Sequence, residues 1–279
     1  MGTSRSFGGT GGKQGRDLRQ GMSDWLDGLP DAPPPDQQQP DGAQPDGQLP
    51  LPELKPETIL NVVPMFRPRG SGGGGDGLGG IGGGGGRQAA GGDGAGGGRR
   101  GGARRSATQS ATTAGRAAAA AYALRTGDTA TLEALGLDYN ELRAIGDSIT
   151  VTQRIVEAAC GPLPDGTIED DERRQVAAEI ADWVLVENEG GAPPQPEEIV
   201  REAIARIIFE AATTETAKQL RDGKRPEWAT REGERQIREC AEALAQQARL
   251  SPDGPTVEEF ERAIEHGIDT LRHLWSGSE

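Results

Sequence analysis

The sequence predicts an all-α protein, a compact helical bundle preceded by a long disordered arm rich in glycine and proline. Apolar residues recur at helical spacing through residues 106–279, and no stretch there alternates as a β-strand does. Residues 1–105 hold most of the 44 glycines and few of the apolar side chains that a core requires. Charge changes at the same boundary, from 12 Lys/Arg against 11 Asp/Glu before it to 18 against 33 after it. We therefore expect an arm, residues 1–105, and an acidic helical domain, residues 106–279.

The arm contains two tracts of biased composition. Residues 30–56 are proline-rich, and residues 70–102 contain 21 glycines in 33 positions. Such tracts favour solvated, extended or coiled conformations over packing. The arm is therefore predicted to be a disordered tether.

Two short apolar islands interrupt the arm, near residues 22–29 and 58–66. The first has apolar side chains at helical spacing, whereas the second is rich in β-branched residues and cut by Pro64, which suits an added edge strand or an extended peptide. Because exposed aromatic side chains often anchor interfaces, we expect Trp25 to bind a partner. The second island either binds a partner or folds back on the helical domain. The predicted docking residues are Met22, Trp25, Leu26, Leu29, Val62, Val63 and Phe66.

Six or seven helices are predicted in the acidic domain. The helical regions are 106–125, 132–145, 148–160, 169–187, 197–220, 232–249 and 256–275. The first is alanine-rich, with Gly115 weakening its middle. The region 197–220 has the strongest amphipathic pattern and is predicted to be the central helix. Thr256 and Glu259 have the spacing of a capping box.

Composition also excludes several classes of function. The acidity of the helical domain argues against general nucleic-acid binding, because phosphate contacts need a surplus of Lys and Arg. No stretch approaches the roughly 18 apolar residues of a membrane span, and the N-terminus lacks the apolar core of a signal peptide. We therefore expect a cytoplasmic protein without a membrane segment. In that compartment Cys160 and Cys240 are predicted to be buried thiols.

No residue of the sequence is assigned to catalysis, to a cofactor or to a metal. The glycine tract matches a dinucleotide fingerprint by composition alone, since no predicted strand precedes it. His266 and His273 lie two helical turns apart, about 10.5 Å, too far to share one metal. The acidic run at residues 169–172 is explained by the dipole of a starting helix. The chain is therefore predicted not to be an enzyme.

The first nine residues, MGTSRSFGG, form a defined start. A small second residue permits removal of Met1, which leaves Gly2 with an α-amine of pKa about 8, against about 10.4 for lysine. Such an amine is a competent nucleophile at neutral pH. The same residues fit the N-myristoylation pattern, but that reaction needs a eukaryotic transferase, and the lysine-poor, Arg/Ala/Gly-rich composition is typical of a GC-rich bacterial genome.

The start of the chain and its layout together point to a known family. The matching residues are Met1-Gly2-Thr3-Ser4, Ser6 and Gly8-Gly9, then Trp25-Leu26-Asp27 before the Pro/Asp tract, and Gly101-Gly102-Ala103-Arg104-Arg105 before the acidic helical half. In this combination the chain resembles the QatB family, a component of the four-gene Qat anti-phage defence system of bacteria. Thr10 and the inserted residues 13–21 depart from the family pattern.

The resemblance implies a non-catalytic protein that works beside an ATPase, a QueC-like enzyme of the QatC type and a TatD-like nuclease. It also implies that Gly2 accepts a deazaguanine-type base from the QueC-like partner. The residues that the partner would recognise are Thr3, Ser4, Ser6, Gly8 and Gly9.

Three alternatives remain open. The protein could be a helical scaffold or adaptor whose N-terminus stays unmodified, or a secreted helical protein with a flexible arm. It could also be an enzyme with an unrecognised carboxylate site. An acidic cluster within a concave pocket of the folded domain would mark the last of these.

Overall fold

The computed structural model describes residues 12–30, 51–66, 106–161, 168–186, 191–221, 225–248 and 256–276. The helices of this part are α1 (Lys13–Asp27), α2 (Pro56–Leu60), α3 (Ala107–Thr126), α4 (Thr129–Ala134), α5 (Tyr139–Ala144), α6 (Ser148–Cys160), α7 (Ile168–Val186), α8 (Pro196–Leu220), α9 (Glu227–Ala245) and α10 (Val257–Ser276). A short 3-10 turn, Val63–Met65, follows α2.

The predicted all-α class is confirmed. Helices account for 81% of the described residues, and none of these residues lies in a β-strand. No helix in the described part of the chain has the length and apolar character that crossing a bilayer requires.

Helix α3 lies at the centre of the bundle, although its sequence has no distinct apolar face. Its buried alanines occupy every side of the helix, because α10, α7, α6, α4 and α8 all pack against it. Helix α10 approaches α3 closely at Gly115, where a Cβ would lie 2.7 Å from the backbone nitrogen of Glu261 on α10. The glycine expected to weaken this helix therefore allows α10 to contact it. Helix α8, predicted as central, is likewise surrounded, by α9, α7, α1, α10 and α3.

The region predicted as one helix over residues 132–145 forms two short helices, α4 and α5. Gly136 separates them with a φ of 76°, a left-handed conformation that favours glycine. Asp138 then caps α5, its carboxylate accepting a hydrogen bond of 2.8 Å from the backbone N–H of Glu141. A left-handed glycine followed by a capping aspartate ends one helix and starts the next.

The helices of the C-terminal half follow the prediction closely. Helices α7, α8 and α10 begin and end within about a residue of the predicted bounds, whereas α9, Glu227–Ala245, begins and ends four or five residues before the predicted 232–249. The capping box before α10 is confirmed: Thr256 Oγ1 accepts from the backbone N–H of Glu259, and the Glu259 carboxylate accepts from that of Thr256, both at 3.3 Å. Local sequence signals therefore set these boundaries.

Two segments of the predicted arm are folded against the bundle. Helix α1 packs on α8, α2 packs on α9, and the 3-10 turn packs on α10. The prediction of a disordered arm thus fails for residues 12–30 and 51–66, because both carry enough apolar side chains to gain from burial. The second island is helical, so the expected edge strand is wrong. The glycine-rich tract, residues 70–102, and most of the proline-rich tract, residues 30–56, lie outside the described residues.

Candidate functional site

The structure brings the predicted docking residues together inside the protein's own core. Six of them are buried, and Leu29 is partly buried against the same core. The prediction that Trp25 binds a partner is therefore corrected: its side chain is 8% exposed and packs within this chain. For the second island, the alternative that it folds back on the helical domain is confirmed. The predicted acceptor and recognition residues Gly2, Thr3, Ser4, Ser6, Gly8 and Gly9 lie outside the described residues.

Trp25 anchors α1 in the angle between α8 and α9. Its indole N–H donates a 2.7 Å hydrogen bond to the backbone carbonyl of Pro52, so the polar edge of the buried ring is satisfied. The indole lies close to Gly233 of α9, where a Cβ would come within 3.6 Å of the ring and 2.7 Å of Leu220 Cδ2. The absence of a side chain at Gly233 therefore leaves the room that the indole and Leu220 occupy.

Ion pairs hold α1 at its middle and at its C-terminal end. Arg19 pairs with Glu215 of α8, a carboxylate that is only 5% exposed. Asp27, at the C-terminal end of the helix, pairs with Arg225 at 2.8 Å. The first pair is worth more than the second, because an exposed ion pair contributes little and a buried carboxylate left without its cation is costly.

The second segment is held on α9 by polar contacts of its backbone. The N–H of Leu54 donates to the Gln236 side chain at 3.1 Å, and the Cys240 thiol donates to the Leu54 carbonyl at 3.2 Å. Burial, with smaller contributions from Glu239, Glu57 and Glu53, raises the pKa of Cys240 to about 11. This thiol is therefore protonated at neutral pH and covered by residues 51–66, as expected for a structural cysteine.

A concave pocket of about 170 Å³ opens beside α3, α7 and α8. Both Phe66, at the end of the second segment, and Ser106, at the start of α3, line it. Its apolar wall includes Val176 and Ile207. The charged groups that line it are Glu169, Glu172, Arg173 and Glu210.

Glu210 is the most perturbed carboxyl of this pocket. Burial first, and then the negative charges of Glu179 and Glu172, raise its pKa to about 7, while Arg238 and Arg206 partly offset the rise. Arg206 is engaged elsewhere as well, with ion pairs to Glu179 of α7 at 2.6 Å and to Glu202 of α8 at 2.7 Å. A carboxyl with a pKa near 7 exchanges a proton close to neutral pH, which favours general acid or base chemistry.

Other candidate groups offer less chemistry. His266 and His273 are both exposed on α10, and the described residues contain no group of three His, Cys, Asp or Glu side chains that could hold a metal. Cys160 is half-buried, and burial raises the pKa of its thiol. Neither cysteine has the lowered pKa of a reactive thiol.

Sequence reasoning missed Glu210 and the Arg19–Glu215 pair. Glu210 follows the apolar run IIF in α8, whose buried residues lie on most of its circumference, and an acidic residue in that place signals a half-buried carboxyl. Arg19 and Glu215 are 196 residues apart, so no local signal could have joined them. Comparisons with known protein families, with curated proteins and with solved structures find no match for this chain.

Proposed function

We propose that this protein is a non-catalytic component of a bacterial anti-phage defence complex. In this proposal it presents Gly2 to a QueC-like partner, which uses ATP to activate a carboxyl group of a deazaguanine-type base. The α-amine attacks that carbonyl carbon, the activating group leaves, the amine loses a proton and an amide forms. An ATPase and a TatD-like nuclease of the same operon complete the set of partners, and the complex works in the cytoplasm. The support from the sequence is the start MGTSRSFGG in front of an acidic helical domain.

The structural observation that carries the proposal is the docking of α1. Buried side chains and an ion pair hold this helix on α8 and α9, and the chain that precedes Lys13 leads from a folded body. A substrate protein needs two features, a reactive group at a chain end and a body that a partner can bind. The docked helix α1 connects the chain end to the body, with fewer than a dozen residues between Gly2 and the start of the helix.

Intact-mass measurement after co-expression with the QueC-like partner tests the proposal. We expect loss of Met1 and, on the N-terminal peptide, a mass gain of one base less one water. Two controls define the site: a partner inactivated in its ATP site, and Gly2→Glu, whose large second residue keeps Met1 and removes the glycine amine. An unmodified N-terminus beside an active partner would contradict the proposal.

The pocket at Glu210 favours a second candidate function, an enzyme that uses a carboxyl for proton transfer. An acidic cluster in a concave pocket is the feature expected of that class, and the raised pKa of Glu210 suits a general base. Plaque assays with the whole operon separate the two functions. Presentation of Gly2 predicts that Gly2→Glu abolishes protection while Glu210→Gln retains it. Proton transfer by Glu210 predicts that Glu210→Gln abolishes protection while Gly2→Glu retains it.

A further inference from the structure

The pocket beside α3, α7 and α8 combines an apolar wall with several carboxyl groups. The apolar wall consists of Phe66, Val176, Ile207 and Ala211, none of which is more than 5% exposed. Polar groups come from the first turn of α3, from the start of α7 and from Glu210 of α8. The pocket volume of about 170 Å³ is roughly ten times what one water molecule needs, so the pocket admits a small organic molecule.

Two of the charged groups that line the pocket are already stabilised within the protein. Arg173 pairs with Asp170 and donates a 2.7 Å hydrogen bond to Gln109 Oε1. Glu169 lies in the first turn of α7, where the helix dipole favours a negative charge. The cation in the described lining is therefore committed to partners on its own helix and on α3.

Glu210 differs from these groups, because its half-buried carboxyl has no hydrogen bond or ion pair with any described residue. The charged groups that act on it are Glu172 and Glu179 of α7, Arg206 of α8 and Arg238 of α9. Both arginines are engaged elsewhere, one with two carboxylates and the other over the Phe209 ring, 4.1 Å from its centre. A half-buried carboxylate without its own cation is costly, and a bound cation would recover that free energy.

We propose that this pocket binds a small organic cation, an ammonium group on a short apolar chain. The ammonium group donates to the Glu210 carboxylate, and the chain packs against Val176 and Ile207. An inorganic cation would gain nothing from the apolar wall, and an anion would be repelled by the carboxylates. The site is separate from Gly2, so failure of this inference leaves the proposed function standing.

Titration with butylammonium tests the inference, with butanol as the uncharged molecule of the same size. Both are added to the full chain at constant ionic strength, at pH 6 and at pH 8. Nuclear magnetic resonance follows the backbone amides of Val176, Ile207 and Ala211. Glu210→Gln removes the charge with little change in shape. Glu157→Gln is the matched control, because that side chain of α6 is 64% exposed and lies outside the pocket.

We expect saturable shifts with butylammonium in the millimolar range at pH 8. The affinity should be about ten-fold lower at pH 6, because a carboxyl with a pKa of about 7 is then mostly protonated. Glu210→Gln should weaken binding about ten-fold at pH 8 and remove the pH dependence, since a charge-assisted hydrogen bond is lost. Glu157→Gln should bind as the wild type does. Absence of saturable shifts in the wild type at pH 8 would overturn the site. Equal affinities for butylammonium and butanol, or for the wild type and Glu210→Gln, would also overturn it.

Discussion

Replacing Trp25 with alanine tests whether the N-terminal segment is part of the fold. The side chain is 8% exposed, and its N–H is bonded to the Pro52 carbonyl. The alanine variant removes the indole between α8 and α9, and Gly233 below it has no side chain to fill the space. The perturbation therefore creates a cavity and leaves one carbonyl without its donor.

The size of the effect follows from the burial. A tryptophan buries about 150 to 250 Å², which at about 25 cal/mol per Å² amounts to roughly 4 to 6 kcal/mol. Core substitutions of Phe or Trp by Ala cost about 3 to 5 kcal/mol in practice. The lost hydrogen bond adds about 1 kcal/mol. We expect the free energy of unfolding to fall by about 4 kcal/mol.

Urea unfolding followed by far-ultraviolet circular dichroism measures this change, because the helical signal does not depend on the tryptophan removed. Trp25→Phe keeps most of the apolar burial and loses the N–H donor, so it should cost about 1 to 2 kcal/mol. Ile149→Ala is the surface control, since Ile149 is 68% exposed. If Trp25→Ala unfolds at the same urea concentration as Ile149→Ala, then α1 is not docked as described and the reasoning is refuted.

Three further predictions address other parts of the structure. Gly115→Ala should destabilise the protein by about 1 to 3 kcal/mol, because the new methyl group meets the backbone of α10. Thermal melts measure the change. Gly21→Ala is the milder control, since its methyl group meets only the end of a threonine side chain. Glu210 has a folded-state pKa of about 7, above the ordinary 4.5, so its carboxyl lowers stability as the pH rises from about 4.5 through 7. Glu210→Gln should therefore stabilise the protein at pH 8, by about 1 to 2 kcal/mol after screening at this half-buried site, and change little at pH 4; an equal gain at both pH values would contradict this origin. Iodoacetamide at pH 8 should label Cys160 before Cys240, because residues 51–66 cover Cys240. Trp25→Ala should speed the labelling of Cys240 selectively. Peptide mass spectrometry follows both thiols.

Helix positions in the C-terminal half could be predicted because their signals are local. Apolar spacing identified helix α10, in which Phe260, Ile264 and Ile268 recur at helical spacing and are buried. The capping box at Thr256 and Glu259 identified its start. Each of these signals lies within one or two helical turns, so a single sequence contains the whole of it.

The docking of the N-terminal segment could not be predicted in the same way. The spacing of the first island, residues 22–29, predicted a helical stretch with an apolar face, and residues 22–27 form the end of α1, which begins nine residues earlier, at Lys13. Spacing does not name the surface that covers the face. The room for Trp25 is made by Gly233, and the partner of Arg19 is Glu215, both some 200 positions along the chain. The pocket around Glu210 was missed for the same reason, since α3, α7, α8 and Phe66 all contribute to it.

The folded N-terminal segment also changes the role of the glycine-rich tract. The tract was expected to be a tether between an arm and a domain, yet Phe66 and Ser106, on either side of residues 67–105, line one pocket. The described residues on either side of those 39 residues are therefore held at the same place. Closing a loop of that length costs about 3 kcal/mol of chain entropy, which the burial of Trp25 alone is large enough to offset. The segment stays bound because its apolar side chains outweigh a closure cost that grows only slowly with loop length, so the length of the tract can vary without releasing α1.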